Sequence, residues 1–186
     1  MYRTTARVTG GLFITATAAG VLSAALLDRS AGGSALMVLV MGAAIVMIPP
    51  VLFPVLKVHG EALAVAYVAA RTVEVVLLVP ATQPDFDYAP HALFFCLSAL
   101  LLNVLLYRSR LVPRWISGWA LVAVVPYLVD AVLVLLGVLT PTSTVHGLLV
   151  APLGLNEMVL AVWLLTKGFR AQPAGEPLRE HASAGR

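Results

Sequence analysis

Six apolar segments of about twenty residues, separated by short polar connections, constrain this chain more than any other feature. The hydrocarbon core of a bilayer is about 30 Å thick, and a helix of about 20 apolar residues crosses it. The predicted spans are Thr5 to Leu27, Ala35 to Leu56, Glu61 to Pro80, Ala89 to Tyr107, Trp115 to Val138 and Gly147 to Lys167. The sequence therefore predicts an all-α, polytopic transmembrane helical bundle.

Composition excludes a water-soluble domain. Of the 186 residues, 60% are hydrophobic and 11% are charged, and the mean hydropathy is +0.95. A soluble domain is about 45–50% apolar and about 25% charged, so this chain has too little polar surface to cover a soluble globule. Its length suits one compact bundle. We predict a single transmembrane domain over residues 1–169 and a disordered cytoplasmic tail over residues 170–186, which is rich in proline, glycine and charge.

The distribution of basic residues predicts the orientation of the bundle. Short cytoplasmic loops carry an excess of Lys and Arg. With the N-terminus in the cytoplasm, Arg29 is the one basic residue outside, and both termini are cytoplasmic. The basic residues then inside are Arg3, Arg7, Lys57, Arg108, Arg110, Arg114, Lys167, Arg170, Arg179 and Arg186. They form no stripe along a helix, so nucleic-acid binding is not expected. Arginine far outnumbers lysine, and alanine and valine are abundant, which is typical of a GC-rich bacterial genome. We therefore expect the protein in the bacterial cytoplasmic (inner) membrane.

The first span also resembles a secretory signal peptide, because Arg3 and Arg7 precede its apolar stretch. It is longer than a usual signal core, and a second span follows almost at once. These two features favour its retention as a membrane helix.

Four charged residues lie near the middles of the predicted spans: Arg71, Glu74, Asp130 and Glu157. An ionised side chain at mid-bilayer costs about 2.5–3.5 kcal/mol on insertion scales. We therefore expect these groups to converge on a polar interior. One base would face three acids there, a charge of −2 if all are ionised. Either at least one acid is neutral, or a cation from outside completes the set.

Arg71 and Glu74 are three residues apart, so they share one helix face with Tyr67. One interpretation is a buried ion pair that fixes helix packing. The other is a guanidinium that binds an anionic group, with Glu74 orienting it, because the planar guanidinium presents paired donors.

Glu157 lies near the middle of the last span, with Gly154 and Ala161 on the same face. Small neighbours predict a packed helix interface. Glu157 would then be neutral or pair with Arg71 to lock the bundle. Alternatively, it is a proton carrier or general acid, since desolvation favours the uncharged carboxyl.

Asp130 lies in the outer half of the fifth span, where its side chain either extends towards the outer surface or serves as a general acid. Asn103 is predicted to form an interhelical hydrogen bond.

In the second span, Pro49 and Pro50 predict a kink or a partly unwound helix. Cys96 is the only cysteine. The four histidines form no metal-spaced group, so we predict no metal site and no cofactor; they are His59, His91, His146 and His181.

Three stretches between residues 60 and 169 carry a family resemblance. They are Arg71-Thr72-Val73-Glu74, the basic loop from Tyr107 to Arg114, and the stretch from Pro152 through Glu157 to Gly168. In these the chain resembles the DUF4386 (domain of unknown function) family of small bacterial integral membrane proteins. The connection from Asp28 to Ser34 is short for that family. The resemblance implies a helical membrane fold and no assigned activity, cofactor or substrate.

The leading functional hypothesis is an interior polar site that binds a small or amphiphilic ligand. The ligand-binding candidates are Arg71, Glu74, Glu157, Tyr67, Asp130 and Asn103. Three alternatives stay open: an intramembrane enzyme on a lipid or isoprenoid substrate with Glu157 or Asp130 as general acid, a proton-coupled carrier, and a structural membrane subunit. Membrane lipids are the expected partners, and the sequence predicts no oligomeric state.

Overall fold

The computed structural model describes residues 2–82 and 87–170, and every segment of regular structure in that part of the chain is helical. The helices are α1 Tyr2–Leu26, α2 Ala31–Leu56, α3 Glu61–Leu78, α4 Tyr88–Ser109, α5 Arg114–Leu135 and α6 Thr144–Thr166. Short 3₁₀ turns, Lys57–His59 and Val79–Thr82, follow α2 and α3. The predicted disordered tail lies outside the described residues except for Arg170, so it stays a prediction.

All six of these helices are long and apolar enough to cross a membrane. The predicted all-α transmembrane bundle is therefore confirmed, and the chain is a multi-pass membrane protein. The predicted partial unwinding in the second span is wrong, because α2 continues as a helix through Pro49, Pro50 and Pro54. Proline removes backbone donors, but neighbouring helices help a transmembrane helix to tolerate that loss.

The six helices form a closed ring in chain order. Each helix packs mainly against the helices that precede and follow it in sequence, and α6 closes the ring against α1. The α1–α6 contact requires a glycine, because a Cβ added at Gly10 would lie 2.7 Å from the carbonyl oxygen of Ala161. Ala161 is fully buried there, as predicted for this face. Gly154 is not packed: it is exposed, and an added Cβ would meet no atom within 4 Å.

The two ends of the ring can be told apart by the segments they bring together. The backbone N–H of Arg170, after α6, donates to the carbonyl of Leu111 in the α4–α5 connection at 2.8 Å. Gly168 lies against Arg3 and Ala6 at the start of α1. We call this the terminal end, and it also holds the α2–α3 connection. The opposite, distal end holds the other three connections.

Polar side chains begin each helix that starts at the distal end. Ser30 accepts a hydrogen bond from the backbone of Gly33 at the start of α2, and Asp87 accepts one from Ala89 in α4. Ser143 does the same for His146 in α6. Such caps satisfy backbone donors that have no partner within the helix.

Large apolar side chains fill the half of the ring nearest the terminal end. The buried residues that fill this half lie within about three turns of the terminal ends of their helices. We call this set the terminal core: Ala6, Phe13, Ile48, Leu52, Val55, Leu56, Ala64, Tyr67, Leu102, Leu105, Leu106, Leu111, Val112, Ile116, Leu160, Ala161 and Leu164. This half is packed with side chains from every helix.

Candidate functional site

A cavity of about 170 Å³ lies inside the ring above the terminal core, and all six helices contribute to its wall. Its wall residue nearest the terminal end is Ile48, and the farthest is His91. At a rise of 1.5 Å per residue, Ile48 lies about 12 Å from the terminal end of α2, and His91 lies about 27 Å from the terminal end of α4. The lining residues are Phe13, Ala16, Thr17, Met41, Ile45, Ile48, Arg71, Glu74, His91, Phe95, Tyr127 and Glu157. The cavity therefore occupies the middle and distal part of the bundle.

Arg71 and Glu74 form a buried ion pair on the α3 side of this cavity. The distance from Arg71 Nη1 to Glu74 Oε1 is 2.6 Å, and their side chains are 2% and 0% exposed. The second carboxylate oxygen of Glu74 accepts a hydrogen bond of 2.7 Å from Ser98 Oγ on α4. Because both oxygens have close partners, Glu74 holds the guanidinium in a fixed position.

Glu157 is held far more loosely than Glu74. Its Oε1 lies 3.4 Å from Arg71 Nη2, and its side chain is 18% exposed. In the part of the chain that the structure describes, no other hydrogen bond or ion pair joins this carboxyl to a protein group. Glu157 is therefore the acid in the cavity wall whose oxygens are available to another molecule.

Aromatic rings form the distal part of the wall. The guanidinium carbon of Arg71 lies 5.5 Å from the centre of the Phe95 ring. The Tyr127 ring packs against Phe95 with 5.0 Å between centroids. A cation at this distance from a ring face is attracted by the ring quadrupole. The Phe95 ring on α4 thus contacts the Arg71 guanidinium, and the Tyr127 ring adds a residue of α5 to the same wall.

Three of the predicted ligand-binding residues do not line the cavity: Tyr67, Asn103 and Asp130. Tyr67 is fully buried in the terminal core. The Arg71 guanidinium is near enough to interact electrostatically with its hydroxyl, but hydrogen-bond geometry is not met. Asn103 donates to the carbonyl of Ala99 in its own helix at 2.9 Å, so the predicted interhelical hydrogen bond is wrong. An unpredicted amide makes one instead: Asn156 Nδ2 donates to the carbonyl of Ile116 at 2.8 Å.

Asp130 belongs to a second polar group near the distal end, which we call the distal cluster: Asp130, His146, Tyr88 and Tyr127. Asp130 is 0% exposed, and its Oδ2 lies 2.9 Å from His146 Nδ1. The interpretation that Asp130 extends to the outer surface is therefore wrong. Tyr88 packs edge-on against His146, and its hydroxyl is 2.6 Å from that of Tyr127. Tyr127 thus joins the distal cluster to the cavity.

No sequence pattern assigns a role to His91 or His146, which lie in the first turns of their helices. His91 Nδ1 is 3.2 Å from the carbonyl oxygen of Glu74, and His91 lines the cavity. The one available clue is spacing: His91, Phe95 and Ser98 recur at helical intervals on one face of α4. Within residues 2–82 and 87–170, no three His, Cys, Asp or Glu side chains lie close enough to hold a metal ion.

The predicted convergence of four charges is thus divided between two places. Arg71, Glu74 and Glu157 share the cavity wall, whereas Asp130 pairs with His146 outside it. The acid that sequence reasoning left uncompensated in the distal half has a histidine partner. The remaining excess of acidic over basic groups is in the cavity wall, where one guanidinium meets two carboxyl groups.

Residues 86–168 match the sequence model of the family described as Domain of unknown function (DUF4386). The matched range contains α4, α5 and α6, and it includes two of the three stretches that carried the resemblance. This match supports the predicted family, while Arg71 and Glu74 lie outside the matched range. No curated protein and no solved structure has detectable similarity to the chain.

Proposed function

We propose that the protein binds a small or amphiphilic ligand in the cavity, with part of the ligand against Glu157. The observation that carries this proposal is the wall itself, to which all six helices contribute and in which one loosely held carboxyl lies beside an ion pair. A binding pocket typically combines an apolar wall with a few convergent polar groups. This cavity has that composition.

A purely structural role accounts for only part of the site. Charges that merely lock helices should all be paired in a closed interior. Arg71 and Glu74 meet that description, with a 2.6 Å contact and almost no exposure. Glu157 does not, because its 3.4 Å contact leaves it 18% exposed at the cavity. An additional charge at that depth is expensive, so its retention favours a ligand-binding role.

The volume of the cavity limits what can enter. An apolar cavity of about 150 Å³ is large enough for benzene, and this one measures about 170 Å³. A head group of about six non-hydrogen atoms therefore fits beside Glu157. The chain of an amphiphile would have to leave the cavity and lie along the helices in the lipid.

A second candidate function is an intramembrane enzyme that uses Glu157 as general acid on such a head group. It is favoured by the position of the Glu157 carboxyl, which is the least constrained acid in the wall. Asp130 does not fit this role equally well, because it is bonded to His146 and is not part of the cavity wall. A carrier would also need a route through the terminal core, and therefore a second conformation.

We further infer that the terminal end faces the cytoplasm of a bacterial cell. The basic residues of the described loops and helix ends gather there, while Arg29 is at the distal end. The cavity then lies in the middle and outer part of the cytoplasmic membrane. Reporter fusions test this: a fluorescent protein after Arg186 should fold and fluoresce, and a periplasmic phosphatase at the same position should be inactive. An active phosphatase there would reverse the orientation.

Binding is tested with three probes that share a trimethyl-substituted centre: tetramethylammonium, tert-butanol and pivalate. Each is used radiolabelled, in equilibrium dialysis against the purified full chain in lipid nanodiscs. At least one probe should bind saturably. Substituting Ala16, which is 8% exposed in the cavity wall, with leucine fills the space and should remove that binding.

Ala18→Leu is the matched control, because Ala18 is on the same helix and exposed to lipid. It should leave binding unchanged. If no probe binds saturably to the native protein, or if Ala16→Leu and Ala18→Leu behave alike, the cavity is not a ligand site.

A further inference from the structure

We infer that the part of the ligand beside Glu157 is an organic cation, either an alkylammonium or a small quaternary ammonium group. This inference rests on the proposed ligand-binding function and specifies the charge and chemical class of the ligand. Four observations carry it: the charge balance of the wall, the engagement of Arg71, the aromatic rings and the scarcity of oxygen ligands.

The charge balance leaves one acid in excess. Arg71 and Glu74 compensate each other across 2.6 Å, and Ser98 satisfies the remaining oxygen of Glu74. An ionised Glu157 then adds a negative charge that its 3.4 Å contact with the same guanidinium balances only in part. A charge in a low-dielectric interior needs a partner. A bound cation would bring the sum over this wall to zero.

Arg71 is unsuited to receive an anion in this arrangement. Its Nη1 and Nη2 are directed to Glu74 and Glu157. Its Nε has no partner but is buried, so a molecule in the cavity cannot reach it. Nη1 and Nη2 each keep a second N–H, but an anionic group approaching it would also meet the carboxylates of Glu74 and Glu157. The geometry opposes the hypothesis that Arg71 binds an anionic group.

The aromatic rings supply a further attraction for a cation. Phe13, Phe95 and Tyr127 all contribute to the wall. The Tyr127 hydroxyl is engaged by Tyr88 at 2.6 Å, so the contribution of Tyr127 to the cavity is its ring. A cation over an aromatic face gains more when both are shielded from water. Carboxylate and rings together suit an alkylated nitrogen.

An inorganic cation is less suited to the same wall. Such ions need several oxygen ligands, about six to eight for Ca²⁺ and six for Mg²⁺. Part of the wall is carbon and sulfur, from Met41, Ile45 and Ile48. An ammonium group with alkyl substituents can place its charge at Glu157 and its carbon atoms against these side chains.

The three shape-matched probes separate the charge of the ligand from its size. In nanodiscs containing the native full chain, tetramethylammonium should bind at least about tenfold more tightly than tert-butanol or pivalate, as a shielded cation–π contact and a carboxylate together imply. Glu157→Gln should remove this preference. Glu61→Gln, the same change at an exposed residue in the first turn of α3, should not.

Glu157→Asp keeps the charge and should keep a preference for the cation, which separates the role of the charge from that of packing. The ranking of the three probes is measured on the native protein, so it stands even if Glu157→Gln does not fold. Equal or tighter binding of tert-butanol or pivalate would overturn the inference, and so would an unchanged preference in Glu157→Gln. In those cases Ala16→Leu still abolishes binding and the proposed function survives. If no probe binds at all, the proposed function fails as well.

Discussion

The terminal and distal halves of the ring are parts of the same six apolar helices, yet they differ in how their interior is filled. In the terminal half, Leu52, Leu105 and Leu164 are almost inaccessible and belong to one continuous core. In the middle and distal half, the helices enclose a cavity of about 170 Å³ with Arg71 and Glu157 in its wall. The charged groups therefore lie where packing is incomplete.

This difference shows how a small membrane protein can hold charged side chains in the interior of its helix bundle. The terminal core fixes the helices by packing, which is the main source of helix association in lipid. The distal part of the ring can then keep a space in whose wall Arg71 and Glu74 are paired. Phe13 and Ile48 belong both to the terminal core and to the cavity wall. They form the boundary at which packing gives way to the site.

The largest expected effect comes from Glu74→Gln. This change removes the close carboxylate partner of the buried guanidinium and leaves the 3.4 Å contact to Glu157 as its remaining ion pair. Breaking a buried ion pair by removing one partner typically destabilises by about 3–5 kcal/mol. The free energy of unfolding in mixed micelles measures it, with Glu61→Gln as the exposed control. A loss no greater than that of the control would mean that this pair does not hold the distal half together.

Truncation of the terminal core ranks next. Leu105 is 0% exposed, whereas Leu97 on the same helix is 44% exposed. Leu105→Ala should lower the free energy of unfolding by about 2–4 kcal/mol through the cavity it leaves. Leu97→Ala should change it little. Equal effects of the two substitutions would remove the distinction between a packed half and an open half.

The seam that closes the ring gives a smaller effect with an adjacent control. A Cβ at Gly10 would lie 2.7 Å from the Ala161 carbonyl, while one at Gly11 would meet no atom within 4 Å. Gly10→Ala should destabilise by about 1–3 kcal/mol, the usual range for overpacking. Gly11→Ala should be neutral or slightly stabilising, because alanine favours a helix over glycine. If both were tolerated in thermal unfolding, α1 and α6 would not pack this closely.

Glu157→Gln should have the smallest effect on stability. Its contact with Arg71 is long and partly accessible, so we expect a change below about 1 kcal/mol. The same variant should lose its preference for tetramethylammonium. The two substitutions separate the roles of the two acids, because Glu74 maintains the fold and Glu157 is available to a ligand in the cavity. A stability loss as large as that of Glu74→Gln would assign both acids to structure.

Much of the fold could be predicted from the sequence because each span is an independent transfer of an apolar segment into lipid. The predicted spans agree with the helices apart from a few residues at their ends, as in α5, which ends at Leu135. Gly137, with φ of 70°, follows that end. At Pro49 and Pro50 the expected unwinding is wrong, because proline is tolerated in a transmembrane helix whose neighbours support it, while the alternative of a kink stays a prediction.

The site was harder to predict, since the residues of one helix do not show which way it faces. Asp130 looked like a residue near the outer surface, yet His146 from the next helix covers it. Asn103 was expected to bridge helices but bonds within its own. Ser98 completes the coordination of Glu74, although nothing in its sequence context distinguishes it from other small residues.

The sequence alone specifies six segments long and apolar enough to cross a membrane. It also requires that Arg71, Glu74 and Glu157 be kept from lipid, because hydropathy and charge are properties of each segment. The closed ring was decided by the tertiary structure, as were the packed terminal core and the pairing of each acid. These depend on the rotation of every helix about its axis, which contacts with its two neighbours set. That rotation gives Glu74 two close partners and leaves Glu157 facing the cavity.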